Sequence, residues 1–121
     1  MNNRVSVLVV ENEAMIRMAI VSELQHAGFE VFEAHNADAA ISMMIFNSSI
    51  EVIFTDIDMP GSINGLKLAA AVRDGWAPVR IIVTSGYPHI EMHVLPAEGR
   101  FLRKPYDTRA VAEVIRDMMA A

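Results

Sequence analysis

Short apolar runs alternating with amphipathic stretches along the whole chain predict an α/β fold built on a parallel sheet with helices on both faces. Residues 5–10 form a nearly continuous apolar run, the pattern of a parallel strand covered on both sides. The stretches between such runs repeat their apolar residues at helical spacing and carry Gly, Asn or Pro at their ends. The chain has 121 residues, 53% of them hydrophobic, and no cysteine. It therefore makes one domain, 1–121, held by packing without disulfides or Cys-bound metal.

The elements follow in order. The first strand is 5–10, and a helix over 13–27 places Ile16, Ile20, Leu24 and Ala27 on one stripe, with Gly28 at the left-handed C-terminal cap. A short strand covers 30–34. Asn36 caps a second helix in which Ala37, Ala40, Ile41, Met44 and Ile45 share a face, and residues 47–49 end it. The third strand is 52–55, followed by a Pro/Gly loop over 59–65 and an Ala- and Leu-rich helix over 66–74, closed by Gly75 and Pro78. The fourth strand is 79–85. A short helical stretch over 88–95 precedes Pro96, and Phe101-Leu102 mark a fifth strand. Asp107 or Thr108 caps the last helix, whose stripe is Val111, Val114, Ile115 and Met118. Five strands alternating with five helices imply right-handed crossovers. The nine methionines read as core and gap-filling residues.

Charge and hydropathy exclude several roles. The net charge is -5, with the basic residues scattered, so there is no electrostatic footprint for nucleic acid or an anionic membrane surface. No apolar run approaches the ~20 residues of a membrane span, and residues 1–4 lack the apolar core of a signal peptide. The expected location is the cytoplasm.

In a parallel sheet the working groups gather beyond the carboxyl ends of the strands. Four of those ends are polar here: Glu11-Asn12-Glu13, Asp56 with Asp58, Thr84-Ser85, and Lys104-Pro105. Each has a plain structural explanation when taken alone. Asp56 and Asp58 could form the turn before Met59-Pro60-Gly61, Ser85 could belong to a turn with Gly86, Lys104 could be a solvated edge charge, and Phe101 could be core. Together they suit a divalent cation and a phosphoryl group. Glu11, Asn12 and Asp56 offer hard oxygens for Mg²⁺, Ser85 and Lys104 offer donors to phosphoryl oxygens, and an aspartate can accept phosphate covalently. His89 and His93 could face the same way, yet no third ligand accompanies them.

The chain resembles the receiver domain of bacterial two-component response regulators through four motifs on these strand ends: LVVENE at 8–13, FTDIDMPG at 54–61, IIVTSGYP at 81–88 and FLRKPY at 101–106. The resemblance implies a flavodoxin-like strand order, 2-1-3-4-5. It makes Asp56 the phosphoacceptor, Glu11 and Asn12 the acidic-pocket pair, and the Asp58 carbonyl a further metal ligand. Ser85 becomes the switch hydroxyl, with Thr84 the other register, Lys104 the phosphoryl-binding cation and Phe101 the aromatic switch residue. It also implies a cis Lys104–Pro105 bond. The implied partners are a sensor histidine kinase or a histidine phosphotransfer protein, and a downstream protein target in trans, with homodimerisation a further option. The implied readout surface is the fourth helix, fifth strand and fifth helix. Catalysis is confined to self-phosphotransfer and slow autodephosphorylation, so the chain is expected to be no enzyme in the ordinary sense.

Two departures from the family pattern carry expectations of their own. Most receivers place two acids where this chain has Glu11-Asn12. A unit charge at ~4 Å is worth about 4 kcal/mol at an effective dielectric near 20, so the missing carboxylate predicts weak Mg²⁺ binding. The loop at 61–64 looks one residue long and the segment between Ser85 and Lys104 short. The rival reading is a receiver that works as a phosphorylation-independent protein-binding module. The Asp-Ile-Asp motif also resembles that of haloacid-dehalogenase phosphatases, but there it opens the domain and a cap domain would not fit in this length. A flavin-binding flavodoxin would need a phosphate loop where Glu11-Asn12-Glu13 stands, and Pro60 and Lys67 break an EF-hand pattern.

Overall fold

A computed structural model describes residues 4–58, 65–76, 78–86 and 99–120. The predicted helix over 88–95, the His89 and His93 pair and the loop at 59–64 lie outside the described residues. Among the described residues, nine elements follow one another: β1 (Ser6–Val10), α1 (Ala14–His26), β2 (Glu30–Ala34), α2 (Ala37–Phe46), β3 (Val52–Asp56), α3 (Gly65–Gly75), β4 (Arg80–Ser85), β5 (Arg100–Arg103) and α4 (Thr108–Ala120). The strands form one parallel sheet in the order β2-β1-β3-β4-β5, as expected.

Strand alternation divides the core into two layers. Leu8, Val10, Ile53, Ile81 and Val83 face one way and pack with Ala40 and Met44 of α2 and Leu68 and Val72 of α3. Val7, Val9, Phe54 and Ile82 face the other way and meet Ile20 and Leu24 of α1 and Val111, Ile115 and Met118 of α4. β1, β3 and most of β4 are buried throughout because both faces are covered.

Local signals explain the helix ends. The Asn36 side chain accepts the Ala39 N–H at 2.8 Å and starts α2. Gly28 has φ 97°, the left-handed conformation that lets the chain leave α1 for β2. Of the two candidate caps for α4, Asp107 accepts the Arg109 N–H at 2.8 Å, while Thr108 is the first helical residue.

The surface departs from the sequence expectation in two places. Ile16, Met15 and Met18 are exposed on α1, and Ile45 and Phe46 on α2. Ile16 and Met15 stand in the first turn of α1, beside Pro105 and Tyr106 rather than over the sheet. Ile45 and Phe46 are the last residues of α2 and lie off the side of the helix on which Ala37, Ala40 and Met44 are buried. Helical spacing marks a stripe, but not how much of its width is covered: Met44 is buried and Ile45 beside it is exposed. Met44 and Met118 are core residues as expected, and Met15 and Met18 are not.

Candidate functional site

The register of the sheet brings four polar strand ends to one edge. Val10 pairs with Thr55, Asp56 with Thr84, and Ser85 with Arg103, so Glu11, Asp56, Ser85 and Lys104 follow one another across adjacent strands. The Lys104 N–H donates to the Ser85 carbonyl at 3.0 Å, which carries the pairing one residue beyond β5.

Asp56 is the buried centre of this edge, with 4% of its surface exposed. Its Oδ2 accepts the Lys104 ammonium at 2.7 Å, and its Oδ1 accepts the Asp58 N–H at 2.9 Å. The Lys104–Pro105 peptide is cis, as the family resemblance implied. Burial works against the Lys104 charge, but its hydrogen bond to Asp56 and the charges of Asp56, Glu11 and Asp58 outweigh it and raise its pKa above the ordinary lysine value.

Glu11 is the second buried acid. Its Oε2 accepts the Glu13 N–H at 2.8 Å, while its Oε1 is buried without a hydrogen-bond partner. Burial pushes its pKa up, the Glu13 N–H pulls it down, and the nearby Asp56 charge pushes it up again, leaving it raised. Asn12, its expected partner, is exposed at the mouth of the site.

Asp58 and Ser85 are joined to each other. The buried Ser85 hydroxyl donates to both Asp58 carboxylate oxygens, at 3.1 and 3.2 Å, and the Gly86 N–H donates to Asp58 Oδ2 at 3.3 Å. The family resemblance implies a role for the Asp58 carbonyl, whereas this contact is made by its carboxylate. The Thr84 hydroxyl is buried without a partner on the neighbouring position of the strand. Phe101 pairs with Val83 and is half-buried against the layer that contains α3.

Three contributors escaped the sequence reading. Arg17 donates from Nη1 to the Glu11 carbonyl at 2.8 Å and from Nε to Glu33 at 3.0 Å, bracing the turn after β1. Tyr106 packs edge-on against Phe54 with ring centroids 5.9 Å apart, and burial, with the charges of Glu11 and Asp56, raises its hydroxyl pKa. Gly65 lets the start of α3 press against the backbone of Asp56 and Ile57. None has a local signature: Arg17 looks like any polar residue on an amphipathic helix.

A profile of the response regulator receiver domain matches residues 7–116. The chain belongs to this family. Over 118 residues the receiver is 30% identical to the sensor kinase CckA of Brucella abortus, covering 94% of this chain and 12% of that protein. The chain spans about half the length of other curated relatives that it matches. Among solved structures, the chemotaxis protein CheY4 of Vibrio cholerae superposes with TM-score 0.84 at 24% identity, covering 95% of this chain and 98% of that one. The response regulator TrrA of Thermotoga maritima, solved in complex with Mg(2+)-BeF, superposes with TM-score 0.82 at 25% identity over 94% of this chain and 98% of that one.

The donor set of the receiver suits a small hard cation. The oxygen of Glu11 without a partner lies in the same charge cluster as Asp56, and Mg²⁺ commonly uses one or two carboxylates while keeping water and phosphoryl oxygens. No group of three or more His, Cys, Asp or Glu side chains able to hold a metal occurs among the described residues. Among the same residues, no helix is long and apolar enough to cross a membrane.

Proposed function

We propose that the chain takes a phosphoryl group onto Asp56 from the phosphohistidine of a sensor histidine kinase or a histidine phosphotransfer protein. The observation that carries this reading is the Lys104 ammonium 2.7 Å from the Asp56 carboxylate. It holds a cation where negative charge gathers on the transferring group. A carboxylate oxygen of Asp56 attacks phosphorus, a P–O bond forms as the P–N bond of the donor breaks, and the departing imidazole takes up a proton. Burial of Asp56 beneath the strand ends keeps the carboxylate oriented, and Lys104 moves with the charge onto the phosphoryl oxygens.

Glu11, Asp56, the Asn12 side-chain oxygen and the Asp58 carbonyl would hold Mg²⁺, which neutralises charge on the phosphoryl oxygens when bound. Because Asn12 supplies an amide where a carboxylate would add a charge, binding is weak. Ser85 and Phe101 carry the response to a surface that includes β5 and α4, from which a protein target in trans reads it. The Brucella relative, a sensor kinase, supports a kinase partner and hence a cytoplasmic setting. The chain's own catalysis amounts to self-phosphotransfer and slow loss of the phosphoryl group.

Incubation with acetyl phosphate and Mg²⁺ followed by intact-mass measurement tests the reading. The wild-type chain gains one phosphoryl mass, Asp56→Asn gains none, and chelating the metal suppresses labelling. A wild-type chain that takes no label under these conditions works as a phosphorylation-independent binding module instead.

A further inference from the structure

Asp58 stands beside the reacting carboxylate and holds the hydroxyl that should respond to it. Its N–H is bonded to Asp56 Oδ1, and its carboxylate accepts the Ser85 hydroxyl and the Gly86 N–H. We infer that the Asp58 carboxylate is a positioning group for Ser85, a releasable latch that sets how readily the hydroxyl transfers to a phosphoryl group on Asp56. This rests on Asp56 being the phosphoacceptor and adds a residue-level control on the response.

Three features make the contact a latch rather than a fixed strut. The two O–H···O distances, 3.1 and 3.2 Å, exceed the about 2.5–2.7 Å typical of a hydroxyl on a carboxylate. The proton is shared between two oxygens and held loosely by each. A phosphoryl group presents more charge and three strong acceptor oxygens, so it outcompetes a loosely engaged carboxylate. Asp58 is solvent-exposed, so water can hydrate the oxygens that Ser85 leaves.

The latch also has a direction. One carboxylate oxygen of Asp58 accepts both the Ser85 hydroxyl and the Gly86 N–H, so the contact ties the hydroxyl to the residue that follows β4. Removing the charge of Asp58 should favour the switched state through Ser85, beyond any general effect of deleting a negative charge near an anion. A double-mutant comparison separates the two contributions.

The experiment is titration of beryllofluoride at saturating Mg²⁺, followed by amide shifts at Gly86, for the wild type, Asp58→Asn, Ser85→Ala and the double variant. Asp58→Ala serves as a second replacement at the exposed position. Asp58→Asn should lower the half-saturating beryllofluoride concentration several-fold more in the wild-type background than in the Ser85→Ala background. The difference should be about tenfold at most, the upper end of what an ordinary, loosely held hydrogen bond contributes. Equal effects in the two backgrounds would overturn the latch and leave Asp58 a bystander charge. A wild-type chain that shows no shift with beryllofluoride at any concentration would overturn the phosphoacceptor reading, and the latch with it. Response of the wild type with equal effects overturns the latch alone.

Discussion

A Cβ built on Gly65 would stand 2.6 Å from the Cα of Ile57, closer than side chains approach backbone in folded proteins. The first residue of α3 is thus pressed against the strand end that carries Asp56, and only a missing side chain permits it. Gly65→Ala should lower the free energy of unfolding by about 1–3 kcal/mol, the usual range for overpacking. It should also slow acquisition of a phosphoryl group by displacing the backbone at Asp56. Urea denaturation and the rate of mass gain check both; an unchanged midpoint would show that α3 can move aside freely.

Glu11 carries a pH dependence whose sign follows from burial. Its folded pKa is raised above the ordinary carboxylate value of 4.5. The folded state therefore binds the proton more tightly than the unfolded chain, and its contribution is fully favourable below that value and lost as pH rises through the folded pKa. Metal-free Glu11→Gln should be more stable than the wild type at neutral pH, and the advantage should vanish as pH falls below the ordinary carboxylate value. Thermal unfolding in chelator across that range is the measurement, and an advantage that persisted in acid would assign it to packing.

Arg17 braces the turn after β1 through two bonds of unequal value. The pair with Glu33 is partly solvent-exposed, where ion pairs are worth little, whereas the bond to the Glu11 carbonyl lies closer to the buried edge. Arg17→Ala should destabilise the fold by about 1–2 kcal/mol, and Glu33→Gln by less than about 1 kcal/mol. Denaturation curves of the two variants decide this, since equal losses would place the value in the exposed pair.

Asn12 sits at the mouth beside the buried Glu11, so restoring an acid there should strengthen the hold on a cation. Asn12→Asp is expected to bind Mg²⁺ more tightly than the wild type. Isothermal calorimetry suits the comparison. Trp76 lies just before β4, at the opposite end of that strand from Ser85, and its fluorescence would report the site poorly. Unchanged affinity would place Asn12 outside the metal's surroundings.

Much of this protein is legible in its sequence. Apolar runs and helical stripes set the order of the elements, because burial on a sheet or helix face imposes a local period. The four polar strand ends were visible because parallel strands deliver such residues to one edge. Asn36 and Gly28 announced their caps through chemistry that acts within one turn. Beyond this reach the sequence was silent. It ranked Glu11 and Asn12 alike, yet only Glu11 is buried, because the strand pairs through its backbone N–H to Ala34 and turns outward at the next residue.

Tertiary structure alone decided the rest. Ile16 and Ile45 fit their stripes but are exposed, since periodicity carries no information on how much of a stripe its neighbours cover. Arg17 reached Glu11, Tyr106 reached Phe54, and the Asp58 carboxylate reached Ser85 through contacts whose partners lie on other elements. By itself the sequence determined the element order and the strand ends that bear chemistry, because these follow from local pattern. Which buried oxygen lacks a partner, and which carboxylate holds the Ser85 hydroxyl, depended on packing distant segments together, because a hydrogen bond is chosen by proximity in space.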